Sequence, residues 1–231
     1  MTVIFRLALL LTFSIMMVGC ATTPVVLNHD VLLSNKIGNI HFQSLEQPLE
    51  IEGSSAGASS GAMVGGLLGV MVGSAMDAGV NANRRSRFKP IADALTDFDT
   101  NSVLLEELSR VQGIVFADNL NVTVEGKLPK QQPSEILITP TVTMNPNFAT
   151  VTTLLYASMD QVSPDDKRYG NVYRGQALAE SQGLEAGEDE YSLYWQANPD
   201  KLKEAIIKSV KIAVDALEAD FNTPPVVDPN T

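Results

Sequence analysis

The side chains able to do chemistry in this chain are few, and their spacing argues against most of it. Cys20 is the only cysteine, so no intrachain disulfide can form, which is uncommon in an oxidising compartment. His29 and His41 are the only histidines, and two imidazoles with one thiol do not make a usual zinc ligand set. Gly53-Ser54-Ser55-Ala56-Gly57 matches the G-x-S-x-G turn that exposes a nucleophilic serine, and it follows strand-like Leu49–Ile51. That chemistry needs a histidine after the serine, and both histidines precede it. Glu185 with Glu188, Asp189 and Glu190, or Asp160 with Asp165 and Asp166, offer the oxygens calcium takes. Neither group follows a defined loop spacing, and both read as solvated acidic loops. No phosphate-cradling glycine loop occurs. The expectation is a protein with no catalytic residue, metal or cofactor, and so not an enzyme.

Charge narrows the partners. The 231 residues carry 27 acids and 16 bases, a net charge of −11. A nucleic-acid binder needs a basic face for phosphate, so no nucleic acid is expected. The 45% hydrophobic content suits one folded domain with an added apolar segment.

Residues 1–19 hold one base, Arg6, and no acid, then an apolar run from Leu7 to Val18 and small Gly19. This is the layout of a signal peptide. The run of roughly 12 residues is too short for a bilayer, which takes about 20. Met17-Val18-Gly19-Cys20 resembles the lipobox of bacterial lipoproteins, with Met17 where leucine is usual. The resemblance implies cleavage before Cys20 and acylation of its sulfur, making membrane lipid the first partner. Ala21, where an aspartate would imply retention at the inner membrane, implies the outer membrane with the folded domain facing the periplasm. Acyl chains hold by roughly 0.8 kcal/mol per buried methylene.

The most regular feature lies further along. Gly57, Gly61, Gly65, Gly69 and Gly73 recur every four residues among valines, leucines and methionines, with no charge between Glu52 and Asp77. On a helix that period lines the glycines along one ridge without side chains. Such a ridge lets a second helix approach backbone to backbone. In water each interior glycine would cost about 1 kcal/mol relative to alanine; in lipid the helix is the open-chain answer to unsatisfied backbone groups. A helix-packing segment over 53–82 is expected, and with it a homo-oligomer. Beside it, Arg84, Arg85, Arg87 and Lys89 concentrate positive charge in an acidic chain and read as a membrane-surface contact.

A lipid anchor, an internal glycine zipper and a small folded domain together resemble glycine-zipper outer-membrane lipoproteins, such as the surface-exclusion lipoproteins of conjugative plasmids. The likeness covers the leader and residues 53–80, and implies a non-catalytic oligomer. A periplasmic binding or adaptor lipoprotein, assisting envelope assembly or transport beside an envelope protein partner, is the alternative.

The remaining pattern predicts an α+β fold, a small antiparallel sheet with two helical regions and the zipper helix inserted near the N-terminus. A lipidated tether spans 20–35, short strands fall in 36–52, the periplasmic domain covers 83–222, and a disordered tail follows over 223–231. Pro90 is expected at a helix N1 position and Gly113 at a helix C′ position. Strands are expected at Asn121–Glu125, Glu135–Met144, Phe148–Met159, Asn171–Leu178 and Tyr191–Trp195. Asn145-Pro146-Asn147 should turn a hairpin. Asn198-Pro199 should open a last helix with a stripe at Leu202, Ile206, Val210, Ala213, Leu217 and Phe221.

Overall fold

Strand period and helix period alternate along the chain much as its apolar pattern dictates. The computed structural model describes residues 37–52, 78–113, 116–130, 135–159, 169–179 and 187–223. The elements run β1 (Ile37–Gln43), β2 (Glu50–Ile51), α1 (Ala78–Asp93), α2 (Thr100–Ser109), β3 (Phe116–Glu125), β4 (Glu135–Met144), β5 (Thr150–Met159), β6 (Tyr169–Leu178), α3 (Glu188–Ala197) and α4 (Pro199–Asn222). The fold is α+β. Its six-stranded sheet has the order β3-β1-β4-β5-β6, with β2 also on β4.

The two hairpin pairings, β4 with β5 and β5 with β6, are antiparallel, whereas β1 lies parallel to both β3 and β4. These parallel pairings depart from an all-antiparallel sheet. They arise because helices α1 and α2 intervene between β1 and its partners, which lets the chain return to the same end. β1 pairs with residues 135–138 of β4, and β2 resumes the pairing at Thr143 and Met144. Pro140 falls opposite the gap, so its missing N–H costs a ladder bond on at most one side. The first turn of α2 holds the intervening loop. Asn101 bonds both the N–H and the carbonyl of Leu45, at 2.8 and 3.2 Å, and the Thr100 hydroxyl donates to the Pro48 carbonyl at 3.0 Å. Asp99 caps that helix, accepting from the Asn101 and Ser102 N–H groups and the Ser102 hydroxyl. These bonds, the Ser102 hydroxyl first, hold its carboxyl below the ordinary range.

One face of the sheet carries Ile40, Phe42, Ile138, Val142, Val151, Leu155, Tyr173 and Ala177 into a single core with the helices. α4 supplies the expected stripe and adds Ala205, Ser209 and Val214 to its buried side. It lies against β6 at very close range. A Cβ added at Gly175 would run into the Ser209 carbonyl oxygen and come within 2.7 Å of the Ala213 nitrogen. Beside it the Thr153 and Ser209 hydroxyls share a buried hydrogen bond of 2.7 Å, and Ser209 also donates to the Ile206 carbonyl.

The β4–β5 hairpin turns at Asn145-Pro146-Asn147, as expected, and its tip is tightly bonded. The Asn145 and Thr150 backbones pair at 3.0 Å, and Asn147 accepts from the Ala149 N–H. Phe148 stands at φ 61°, a conformation rare outside glycine, and is fully buried. Burying its ring and bonding its carbonyl to the Trp195 indole N–H at 2.7 Å offset that strain.

Four local expectations are corrected. Tyr191–Trp195 is part of helix α3, because Ser192 and Trp195, three apart, are the residues turned inward. Pro90 sits inside α1 instead of at its start; the helix runs on to Asp93 and then tightens into turns through Phe98. Gly113 is not a C′ glycine, since α2 ends at Ser109 with Arg110 as its cap. Its smallness serves Asn222, whose Cγ would lie 2.7 Å from an added Cβ. Asn198 does precede Pro199, but its side chain turns back to the Tyr194 carbonyl at 2.8 Å and leaves the α4 N-terminus uncapped.

Two outcomes test this account. Gly175→Ala must push α4 off β6, and should lower stability by about 3 kcal/mol or more in urea denaturation; near-neutrality would contradict the close approach. Burial, and then neighbouring Glu46, raise the Glu50 carboxyl above its ordinary 4.5. The parent is therefore favoured while Glu50 is protonated and loses that advantage as pH rises through the folded value. Glu50→Gln should raise the melting temperature at pH 7 and leave it unchanged below pH about 4.

Candidate functional site

Cys20, the expected lipidation residue, and Gly57, Gly61, Gly65, Gly69 and Gly73 of the expected zipper lie outside the described residues, as do Ser55 and His29. The basic cluster is described. α1 carries it toward the first turn of α3, where Glu188 and Asp189 stand at a helix N-terminus, the end that favours negative charge. Arg84 Nη2 meets Glu188 Oε1 at 3.0 Å, and Arg87 Nη1 meets Glu188 Oε2 at 3.5 Å and Asp189 Oδ1 at 2.8 Å. The Ser192 hydroxyl also donates to the Arg87 carbonyl at 3.4 Å. Arg84 and Arg87 thus brace α1 against α3. Arg85 lies exposed, and Lys89 is exposed while pairing with Asp93 on its own helix. The four bases divide into an inner pair and an outer pair.

His41 is half-buried in the ladder, on the sheet face opposite the core. Its Nδ1 lies 2.6 Å from the Thr123 hydroxyl and 3.5 Å from Glu125, and its Nε2 lies 3.6 Å from Glu135. Glu135 is itself held by the Asn39 amide at 3.4 Å. The imidazole therefore bonds β1 to β3 through Thr123, while its buried Nε2 faces Glu135 of β4 without a hydrogen bond. Among the described residues no group of three His, Cys, Asp or Glu side chains could hold a metal ion.

A recess opens where β6 ends against α3 and α4, lined by Leu178, Tyr194, Lys201, Glu204 and Lys208 among others. Its volume of about 70 Å³ is far below the roughly 300 Å³ at which small-molecule pockets begin. It holds a few waters at most. Among the described residues no helix is long and apolar enough to cross a membrane.

The sequence displayed both the basic cluster and the acids at 188–190. Their pairing, about a hundred residues apart, left no trace in local pattern, and the acids read as a solvated loop. The partners of His41 were equally hidden, since Glu125 and Glu135 meet it only through parallel pairing. No protein-family model, characterised protein or solved structure matches this chain, so function rests on its own residues.

The division of the cluster is testable by single substitutions. Arg84→Ala should lower stability by about 1 kcal/mol, the scale of a partly shielded ion pair. Lys89→Ala, which removes only an exposed ion pair within α1, should stay within about 0.5 kcal/mol of the parent. Equal losses in urea denaturation would show that the bracing is not particular to the inner pair.

Proposed function

We propose that this chain is a non-catalytic, lipid-anchored protein of the cell envelope that self-associates through its glycine zipper at the outer membrane. The observation that carries the reading is the unbroken four-residue glycine period in a stretch free of charge. Lipid on Cys20 supplies the anchor, with a tether of 20–35 before the first strand.

The flanks of the zipper refine the reading. Before it, Glu50 and Ile51 pair with β4, and after it Phe88 and Ile91 enter the same core. β2 and α1 also touch each other. A segment that leaves and rejoins one domain at one place crosses a bilayer an even number of times or not at all. Two crossings need about 40 apolar residues, more than 53–82 provides. The reading supported is a shallow, returning segment that packs on its counterpart in a second copy, with Arg85 and Lys89 on the side of the domain from which it departs.

The test is the size of the detergent-extracted particle. Gly65→Leu and Gly69→Leu should each dissociate it by holding two backbones apart, while Val70→Leu, off the ridge, should not. Cys20→Ser should leave an uncleaved precursor. A parent that is monomeric, or that keeps its size in both glycine variants, would sink the zipper's role.

A further inference from the structure

The two edges of the sheet are unlike. β3 is interrupted, its register with β1 shifting between Ile37 and Asn39, and it carries Glu125. Bulges and charges of this kind are how sheet edges resist pairing. β6 has neither a bulge nor a proline. It keeps one register with β5 from Tyr169 to Leu178, and its only charge is Arg174. Among the described residues nothing pairs with its outer edge. Gly170, Asn171, Arg174 and Gln176 are exposed, and Leu178 is 71% exposed, the most of any large hydrophobic residue described.

We infer that the outer edge of β6 pairs, antiparallel, with β6 of a second copy of this chain, with Gly175 opposite Gly175. A two-fold axis normal to the sheet keeps both helix layers on one side, so only registers matching like faces are open. With Gly175 on the axis, Arg174 of each copy stands opposite Gln176 of the other, and Val172 stands opposite Leu178. The apolar side chain most exposed to water is then covered, and neither Arg174 stands directly opposite a like charge. Moving the axis to Arg174 would set two guanidinium groups against each other, which cross-strand pairing disfavours. α4 already packs against the core face of β6 at Gly175, so the edge is formed before any partner arrives. This surface is separate from the zipper and would join copies through their folded domains.

Residues directly opposite in an antiparallel pair lie close enough for a disulfide, which gives a register-specific test. Full chains carrying Arg174→Cys and Gln176→Cys, both at exposed positions, are co-expressed and oxidised in air, beside each variant alone and the parent. A disulfide-linked dimer is expected in the mixture, well above the level in any single chain. No dimer in the mixture, or an equal yield from Arg174→Cys alone, would overturn the pairing. Adding Gly69→Leu to both chains should leave the cross-link in place. Its disappearance there would assign association to the zipper alone and also overturn the proposal.

Discussion

The contact between the α4 backbone and Gly175 sets the spacing of the helix layer, and much of the molecule is arranged around it. Only a glycine lets the Ser209 carbonyl come so near the strand. With α4 seated there, Leu202, Ile206, Val210 and Leu217 reach the core over β5 and β6. Its far end is fixed by Asp220, which accepts from the Tyr173 hydroxyl at 2.5 Å, and by Phe221, whose ring lies 5.6 Å from that of Phe116. Glu218 and Asn222 then bond the backbone of Gln112, tying in the chain that leaves α2.

The opposite face of the sheet is built differently. Thr139, Thr141, Thr143 and Thr152 stand there with His41 and Glu135, and Leu137, though nearly buried, belongs to this side and not to the main core. β-branched threonines suit a pleated surface while tolerating water. The helices thus collect on one side, and the ion pairs from Glu188 to Arg84 and Arg87 hold α1 to α3 within that layer. The zipper's two roots lie at β2 and α1, so the proposed membrane contact and the helix layer share a region of the domain.

What the sequence disclosed was what depends on neighbours in the chain. The α4 stripe, the strand at Glu135–Met144 and the turn at Asn145-Pro146-Asn147 all follow from local period and turn chemistry. α3 is hidden by residue type, because Tyr191, Tyr194 and Trp195 favour strands, while their spacing, with Trp195 inward, decides for a helix. The parallel placement of β1 could not be seen, because nothing in a seven-residue strand says which distant strand it joins. Gly175 read as one more strand residue, and only the helix above it explains why no side chain is allowed. Of the site, the glycine period and Cys20 were legible as patterns; the inner and outer division of the arginines was not, since it depends on where α3 starts.

The position of β1 also bears on how the molecule is made. It is the first described element to leave the ribosome, yet it belongs between β3 and β4, whose residues come about 80 to 100 positions later. Until it inserts, those two strands each present an unpaired edge to the surroundings, while the β4–β5–β6 meander can close from local contacts alone. The order of assembly is then set by topology: meander and helices first, the oldest strand last. Closing so long a connection costs loop entropy, and until it closes the open edges of β3 and β4 face other chains.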